Sequence, residues 1–236
     1  MHGAFHGRWC WDRLIPELQS LGHRVEAIDL VQANEATKDA DAILDGWAGA
    51  IVSAARAYVE KVILVGHSRS GIVISQAAER IPERLSCLVY CAAMLVRNGE
   101  TMADTRARLG CDPGSAVEII RDPDGVHLRA DAASVAEMIY HRAAPAVREA
   151  MIARLKAEPR TGFSIAPQLT ESRYGRVPRA YIECTDDRVF GIELQRGMQS
   201  SQPCELVITL DTDHAPYLSA PKALADALHQ VATASV

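Results

Sequence analysis

The stretch Val62-Ile-Leu-Val-Gly-His-Ser-Arg-Ser-Gly71 decides the fold of this chain of 236 residues. Its first four residues form a continuous apolar run of the kind found in a buried parallel strand, and Gly66 ends that run. A helix of small residues is predicted to follow, from about Arg69 to Arg80. The pattern therefore places Ser68 in a sharp turn between a buried strand and a helix.

The rest of the chain alternates between strand-like and helix-like segments. Strands are predicted at 24–30, 61–65, 85–91, 179–184 and 205–210. Helices are predicted at 10–21, 41–59, 69–80, 191–200 and 219–232. Strict alternation of this kind is typical of an α/β fold, in which a mainly parallel sheet carries helices on both faces.

The alternation is interrupted once, between about residues 95 and 176. This block has no buried-strand run, and it contains turn clusters and two predicted helices, at 133–141 and 144–157. We therefore predict one α/β core formed by residues 1–94 and 177–236. Residues 95–176 are predicted to be a mostly helical cap inserted into the same domain.

Ser68 has the setting that a nucleophilic serine needs, because a strand-to-helix turn exposes its hydroxyl above the sheet. The residues two before and two after it have to be small so that strand and helix can approach, and here they are Gly66 and Ser70. Glycine is usual at the second place, so Ser70 is a departure. The turn also directs the Arg69 amide toward a developing oxyanion near the helix N-terminus. The alternative is an ordinary turn in which Ser68 only caps the helix.

A nucleophilic serine needs a base, and the base needs an acid that orients it. In this fold the chain order is Ser, then Asp or Glu, then His. The predicted strand at 179–184 is followed by Asp186 and Asp187, and the strand at 205–210 is followed by His214. The carboxyl ends of parallel strands collect the ligands and catalytic groups of such sheets, so we expect these side chains to meet Ser68.

With these residues in place, the chain resembles the α/β-hydrolase branch that includes plant methyl esterases, hydroxynitrile lyases and bacterial pyrethroid-type carboxylesterases. The resemblance covers both ends of the chain well and the predicted cap more loosely. The matching residues are His2-Gly-Ala-Phe-His-Gly7 with Trp9 and Trp11, Leu21-Gly-His-Arg-Val-Glu-Ala-Ile-Asp-Leu30, Val65-Gly-His-Ser68, Cys184-Thr-Asp-Asp-Arg188 and Asp213-His214.

The resemblance implies roles for individual residues. It implies Ser68 as the nucleophile and His214 as the base. The acid falls on Asp187, because the matched position is directly followed by a basic and then a β-branched residue. The amides of Ala4 and Arg69 are implied as the two donors of the oxyanion hole.

Two neighbouring histidines receive supporting or structural roles. We expect His6 to orient the oxyanion turn or to line the pocket. The His67 side chain is expected to point away from the catalytic face, although it is next to the nucleophile in the chain.

The resemblance also distinguishes reactions within the branch. Hydroxynitrile lyases carry a Lys directly after the catalytic His and a Thr in the turn after the first strand, and here those places hold Ala215 and Gly3. A lysine is needed there to hold the charge of a cyanide leaving group, so ester hydrolysis is favoured. Three alternatives stay open: a lyase of the same branch, a cofactor-free oxygenase, and a ligand-binding module with little turnover.

One feature of the branch falls at the start of this sequence. The branch has an apolar strand immediately before the His-Gly turn, placed between the strands at 24–30 and 61–65. Met1 falls where that strand ends, so we expect either residues upstream of Met1 or another segment to occupy this place in the sheet. A missing central strand would leave backbone groups unpaired in the core and hold the Ala4 donor loosely.

Apolar side chains in and near the predicted cap suggest a hydrophobic pocket for the substrate. The candidates are Met102, Met138, Tyr140, Phe163 and Phe190, with His6 beside them. For the cap residues among them, packing within the cap is the alternative role.

The composition excludes several other functions. The net charge is −5 and no run of Lys or Arg forms a basic stripe, so nucleic acid is not an expected partner. No apolar stretch approaches the roughly 18 residues of a membrane helix. The six cysteines are scattered without metal-site spacing, which predicts reduced thiols in the cytoplasm and no metal or other cofactor. The sequence does not define an oligomeric state.

Overall fold

Four parallel strands form the main sheet of the computed structural model, which describes residues 1–30, 39–111 and 117–234. The strand order is β1-β2-β6-β7, and each neighbouring pair is parallel. The strands are β1 (Val62–Ser68), β2 (Leu85–Ala93), β6 (Arg179–Cys184) and β7 (Leu206–Leu210). All four lie where the sequence predicts strands, and the parallel arrangement confirms the predicted fold class.

Helices cover both faces of this sheet. On one face α2 packs against α3, and on the other α1 packs against α9. The helices of this core are α1 (Leu14–Ser20), α2 (Ala40–Arg56), α3 (Ser70–Arg80), α7 (Ile192–Ser201), α8 (Pro216–Ser219) and α9 (Pro221–Ala234). Within the described ranges, no helix combines the length and the apolar character that crossing a membrane requires.

The helix predicted at 10–21 differs at its start. Residues Arg8–Trp11 form a 3-10 turn, and the α-helix begins only at Leu14. A continuous α-helix from Cys10 would place Pro16 in its interior, where the missing N–H and the ring disrupt the hydrogen-bond ladder. Starting at Leu14 keeps Pro16 within the first turn, where proline is tolerated.

The strand predicted at 24–30 is wrong, because residues 23–30 form no strand in the described structure. A groove of about 590 Å³ lies between this segment and β1, with Val25 and Ala27 on one side and Ile63 and Val65 on the other. A strand exists only when its backbone pairs with a neighbour. The groove lies where such a neighbour would run.

Met1 marks one end of that groove. Its amino group donates to the Val65 carbonyl at 2.6 Å, and its own carbonyl accepts from the His67 amide at 3.1 Å. This is the pattern of a parallel pair, in which one residue bonds to positions on both sides of its partner. Met1 therefore lies against β1 in the orientation of a further parallel strand.

The chain between β2 and β6 contains a second, smaller sheet as well as helices. Strands β3, β4 and β5 are antiparallel and adjacent in that order. The elements are α4 (Met102–Arg108), β3 (Ile119–Arg121), β4 (His127–Ala130), α5 (Ala132–Met138), α6 (Pro145–Ile152) and β5 (Glu158–Pro159). The helices predicted at 133–141 and 144–157 are thus present but shorter. The division into a core of 1–94 and 177–236 and a cap of 95–176 stays a prediction.

Candidate active site

Ser68 ends β1 in a left-handed backbone conformation, with φ of 56°. The turn is tight on both sides. A Cβ at Gly66 would lie 2.9 Å from the Ser70 carbonyl oxygen, and one at Gly71 would lie 2.1 Å from the Met94 carbonyl oxygen. Only glycine fits at these two places, so the sequence forces the strand-to-helix turn that presents the Ser68 hydroxyl.

The loop after β7 brings His214 to Ser68. His214 Nε2 lies 3.0 Å from Ser68 Oγ, and His214 Nδ1 lies 2.7 Å from Asp187 Oδ2. An aspartate oxygen accepts, so Nδ1 carries the proton and Nε2 is free to accept the serine proton. All three side chains are buried. The structure thus brings together the three residues that the sequence pointed to.

Asp187 is held firmly in this position. Its Oδ1 accepts hydrogen bonds from the amides of Val189 and Phe190, each at 2.8 Å. Asp186 faces elsewhere, because its Oδ2 pairs with His141 Nε2 at 3.0 Å and its side chain is 46% exposed. The contact with His214 therefore belongs to Asp187.

His67 and Asp213 hold the segment that carries His214. His67 Nε2 donates to the His214 carbonyl at 2.6 Å, and the two rings lie 4.7 Å apart. Burial lowers the pKa of His67 well below its usual value, so its ring is neutral. Asp213 accepts from the Ala215 amide at 3.1 Å and from the Arg142 amide at 3.0 Å. The expectation that His67 points away is wrong, because its ring packs against His214.

The Gly3-Ala4-Phe5 turn lies directly beside Ser68. A Cβ at Gly3 would come within 2.9 Å of Ser68 Cβ, so only glycine allows this approach. The Gly3 carbonyl accepts from His2 Nδ1 at 2.8 Å. Because the peptide is planar and trans, the Ala4 N–H points away from that contact.

The Arg69 amide is oriented in the same way. The Ser68 carbonyl accepts from the Met94 amide at 2.9 Å. The N–H of the same peptide belongs to Arg69 and points in the opposite direction. The structure therefore fixes the orientation of the two amides for which an oxyanion role is predicted, those of Ala4 and Arg69.

The His6 ring holds the Gly3-Ala4-Phe5 turn by a hydrogen bond to the backbone of that turn. Its Nδ1 donates to the Ala4 carbonyl at 2.5 Å, and its Nε2 accepts from the Tyr140 hydroxyl. Burial lowers the pKa of His6 from 6.5 to about 4, so the ring stays neutral and keeps this single tautomer. Of the two roles left open for His6, its contacts are those of orienting the turn. Tyr140 supports it from the segment that follows α5.

The candidate pocket residues lie in different surroundings. Phe190 contacts the His214 ring edge-to-face, with centroids 5.1 Å apart, and Phe163 lies 5.4 Å from the ring of Phe5. Met102 and Met138 are partly buried and pack against the two hydrophobic clusters of the core. A substrate-binding role for these residues stays a prediction.

Fold and site together define the class of this protein. The protein-family model described as "Alpha/beta hydrolase family" matches residues 1–227, so the chain belongs to that family. This agrees with the resemblance seen in the sequence.

Curated relatives cover almost the whole chain. Methylesterase 2 of Arabidopsis thaliana is 29% identical over an alignment of 249 residues. The alignment covers 98% of this chain and 94% of that protein. Norfluorocurarine synthase 1 of Strychnos nux-vomica is 30% identical, with 98% of this chain and 93% of that protein covered.

A solved structure is similar over the same range. The crystal structure of a pyrethroid hydrolase superimposes with a TM-score of 0.82 at 27% identity, covering 99% of this chain and 96% of that one.

Proposed function

We propose that this chain hydrolyses carboxylic esters of small hydrophobic substrates through an acyl-enzyme on Ser68. The observation that carries the proposal is the continuous hydrogen-bonded path from Ser68 Oγ through His214 to Asp187, with contacts of 3.0 and 2.7 Å. The Ser68 oxygen at which this path ends lies at the carboxyl end of β1. It supplies a nucleophile, a base and an orienting acid with one consistent tautomer.

The enzyme class follows from the relatives. Methylesterases and other esterases are found both among the curated proteins and among the solved structures. The chain is accordingly a carboxylic ester hydrolase in class, and the individual residues and the substrate are the subject of the proposal.

The first half of the reaction forms the acyl-enzyme. His214 Nε2 takes the Ser68 proton while Oγ attacks the ester carbonyl carbon, and the carbonyl oxygen becomes an oxyanion. The Ala4 and Arg69 amides stabilise that oxyanion, at the N-terminal end of α3. His214 then gives the proton to the departing alkoxide, which leaves as the alcohol. Asp187 stabilises the imidazolium ion between these two transfers.

The second half releases the acid. Water replaces the alcohol, His214 takes one of its protons, and the hydroxide attacks the acyl carbon. The tetrahedral intermediate collapses with the Ser68 oxygen as the leaving group, and His214 returns the proton to Ser68. The proposed chemistry uses groups of this chain and one water molecule.

The surroundings of the site favour an uncharged substrate. Phe190 lies against His214, and Phe5 and Phe163 pack beside the Ala4 turn. Buried apolar walls bind acyl or alcohol groups by excluding water and disfavour charged ones. The expected partner is therefore a small ester.

Six free thiols, of which Cys10, Cys87, Cys91 and Cys184 are buried, support the predicted cytoplasmic location.

Cyanohydrin cleavage is the less favoured reaction. The residue after His214 is Ala215, which is fully buried, so this position offers no cation to a cyanide leaving group. The oxygenase and ligand-binding alternatives would keep the pocket without forming an acyl-enzyme. They are separated from hydrolysis by whether Ser68 becomes covalently modified.

A fluorophosphonate probe tests the proposal directly. We expect one equivalent to attach to Ser68 and to abolish hydrolysis of p-nitrophenyl acetate, with Ser68→Ala unlabelled as the control. Mass spectrometry locates the modified residue. An unlabelled Ser68 together with no ester turnover would refute the proposal, and tight binding of a small apolar ligand would then favour the ligand-binding alternative.

A further inference from the structure

Glu158 joins the two segments that carry the proposed oxyanion donors. Its Oε1 accepts a hydrogen bond from the Phe5 amide at 2.8 Å, and its Oε2 accepts one from Arg69 Nη1. Phe5 follows Ala4 in the chain, and Arg69 follows Ser68. One buried carboxylate from β5 therefore holds both sides of the site.

On the Phe5 side, Glu158 binds a backbone turn whose conformation is unfavourable by itself. Phe5 has φ of 63°, a left-handed conformation that costs a non-glycine residue energy. The peptide between Ala4 and Phe5 is fixed at both groups, because its N–H is bound by Glu158 and its carbonyl by His6. The Phe5 carbonyl also accepts from the Lys156 amide at 2.8 Å. Both backbone groups of Phe5 are therefore hydrogen-bonded, the N–H to Glu158 and the carbonyl to the Lys156 amide.

The Arg69 side is a buried cation between two rings. Its guanidinium lies 4.4 Å from the ring of Trp47 and 5.3 Å from that of Phe163. Among the residues that the structure describes, Arg69 Nε and Nη2 have no hydrogen-bond partner, so Glu158 is its charge partner. Removing one member of a buried ion pair leaves the other uncompensated, so Arg69 would be driven from this position.

The guanidinium is closely packed on the side that faces Gly162. A Cβ at Gly162 would lie 2.8 Å from the Trp47 ring and 3.4 Å from Arg69 Nη1, so the space is already filled. Because Arg69 follows Ser68 directly, we expect displacement of its side chain to disturb the Arg69 amide next to Ser68.

We infer that Glu158 is a positioning residue for oxyanion stabilisation, acting through Phe5 on the Ala4 amide and through the Arg69 side chain on the Arg69 amide. The inference rests on the proposed function. Glu158 touches neither the substrate nor the reacting atoms in this role. Its effect is to hold two donors where negative charge develops.

The kinetic consequence is a split between kcat and KM. The two donors act on charge that exists only in the transition state, so a loss of alignment lowers kcat and leaves KM nearly unchanged. Loss of one oxyanion donor costs about 10²–10³ in rate, and misplacement costs less. For Glu158→Gln we expect kcat to fall about 10- to 100-fold, with KM within about twofold.

The experiment uses p-nitrophenyl acetate and a trifluoromethyl ketone. Such a ketone forms an adduct with Ser68 whose oxyanion occupies the same hole, so its affinity should fall by the same factor as kcat/KM. Glu100→Gln is the matched control, because Glu100, like Glu158, pairs with an arginine. Its partner is Arg108, with Nε and Oε1 2.7 Å apart. The control should keep wild-type kinetics and ketone affinity. Active-site titration corrects every rate for the fraction of folded enzyme.

Two double variants separate positioning from simple stability. Arg69→Met/Glu158→Gln and Arg69→Met/Glu158→Leu both remove the buried charges, and replacing an ion pair by uncharged groups generally preserves the fold. Only the first keeps an oxygen that can accept from the Phe5 amide. We expect it to recover at least tenfold in kcat over the leucine variant. Equal kcat in the two, or a wild-type kcat in Glu158→Gln, would overturn the inference.

Failure of the inference and failure of the proposed function give different results. A wild-type enzyme that labels at Ser68 and turns over, with Glu158→Gln equally fast, overturns only the role of Glu158. A wild-type chain that neither labels nor hydrolyses any ester overturns both.

Discussion

Asp187 and His214 are 27 positions apart in the chain, yet Asp187 Oδ2 and His214 Nδ1 lie 2.7 Å apart in a buried contact. The neighbouring carboxylate, Asp186, pairs with His141 at a half-exposed position. Two adjacent aspartates therefore have opposite surroundings. They form a matched pair for testing the acid of the proposed triad.

Asp187→Asn should lower kcat about 10⁴-fold, because an amide no longer fixes the tautomer of His214 or stabilises its charged form. Asp186→Asn should keep kcat within about twofold. Steady-state hydrolysis of p-nitrophenyl acetate by both variants checks this. A larger loss in the Asp186 variant than in the Asp187 variant would reverse the assignment.

Ser68→Ala should lower ester hydrolysis by about 10⁶-fold while the circular dichroism spectrum stays unchanged. Ser70→Ala is the control, because the Ser70 hydroxyl donates to the His2 carbonyl. That variant should remain active. If Ser68→Ala kept a tenth of the wild-type rate, Ser68 would not be the nucleophile and Ser70 would be the next candidate.

The apolar surroundings of the site predict a dependence on acyl chain length. Each buried methylene contributes about 0.8 kcal/mol, so kcat/KM should rise about fourfold per methylene until the pocket is filled. The measurement is a series of p-nitrophenyl esters from acetate to octanoate, with esters of charged acids for comparison. A flat series, or a preference for the charged acids, would mean that these apolar side chains do not select the substrate in this way.

Stability should fall in mild acid because buried histidines stay neutral in the folded chain. Burial lowers the pKa of His2 to about 3 and that of His6 to about 4, from 6.5. Below pH 6.5 the unfolded chain takes up protons that the folded chain does not, so the free energy of unfolding decreases as the pH falls toward these values. Each such histidine removes about 2 kcal/mol between pH 7 and pH 5.

Urea unfolding at pH 7 and pH 5 measures this loss. His6→Asn should reduce the difference between the two pH values by about 2 kcal/mol, since the variant has no imidazole to protonate at that position. An unchanged difference would show that His6 is not held neutral.

The positions of the four paired strands along the chain and the position of the site were predictable because they depend on local patterns. Apolar runs, glycine-bounded turns and polar residues at strand ends identified Ser68, His214 and the pair Asp186 and Asp187, and the family resemblance then favoured Asp187. Glu158 was not predictable, because its partners Phe5 and Arg69 are 153 and 89 positions away and no periodicity links them. The position of the His67 ring was missed because it depends on how the loop of His214 packs.

The error at 24–30 has a different cause. Alternation of apolar and polar residues shows that a segment suits a pleated, half-buried surface, and pairing decides whether it becomes a strand. In the described structure the place beside it is the groove along β1. The alternation at 24–30 therefore suits a strand, but within the described structure these residues pair with no neighbouring strand.

An extension before Met1 should fill that place. A short segment of alternating Val and Thr, fused to Met1, would run parallel to β1 along residues 62–65. Burying two valine side chains contributes about 3 kcal/mol, and each kcal/mol raises Tm by about 2–4 °C at this chain length. An extension of equal length with a central proline is the control. Calorimetry giving the same Tm for both would show that the groove does not accept a strand.

The left-handed backbone at Ser68, with φ of 56°, means that the residue required for the proposed chemistry also lowers the stability of the fold. Such a conformation costs a residue other than glycine about 1–3 kcal/mol. A selection for heat resistance alone would therefore favour glycine at this position and discard the hydroxyl. Any directed evolution of this chain for stability has to score turnover in the same round, because its most rewarded substitution would otherwise be the one that inactivates it.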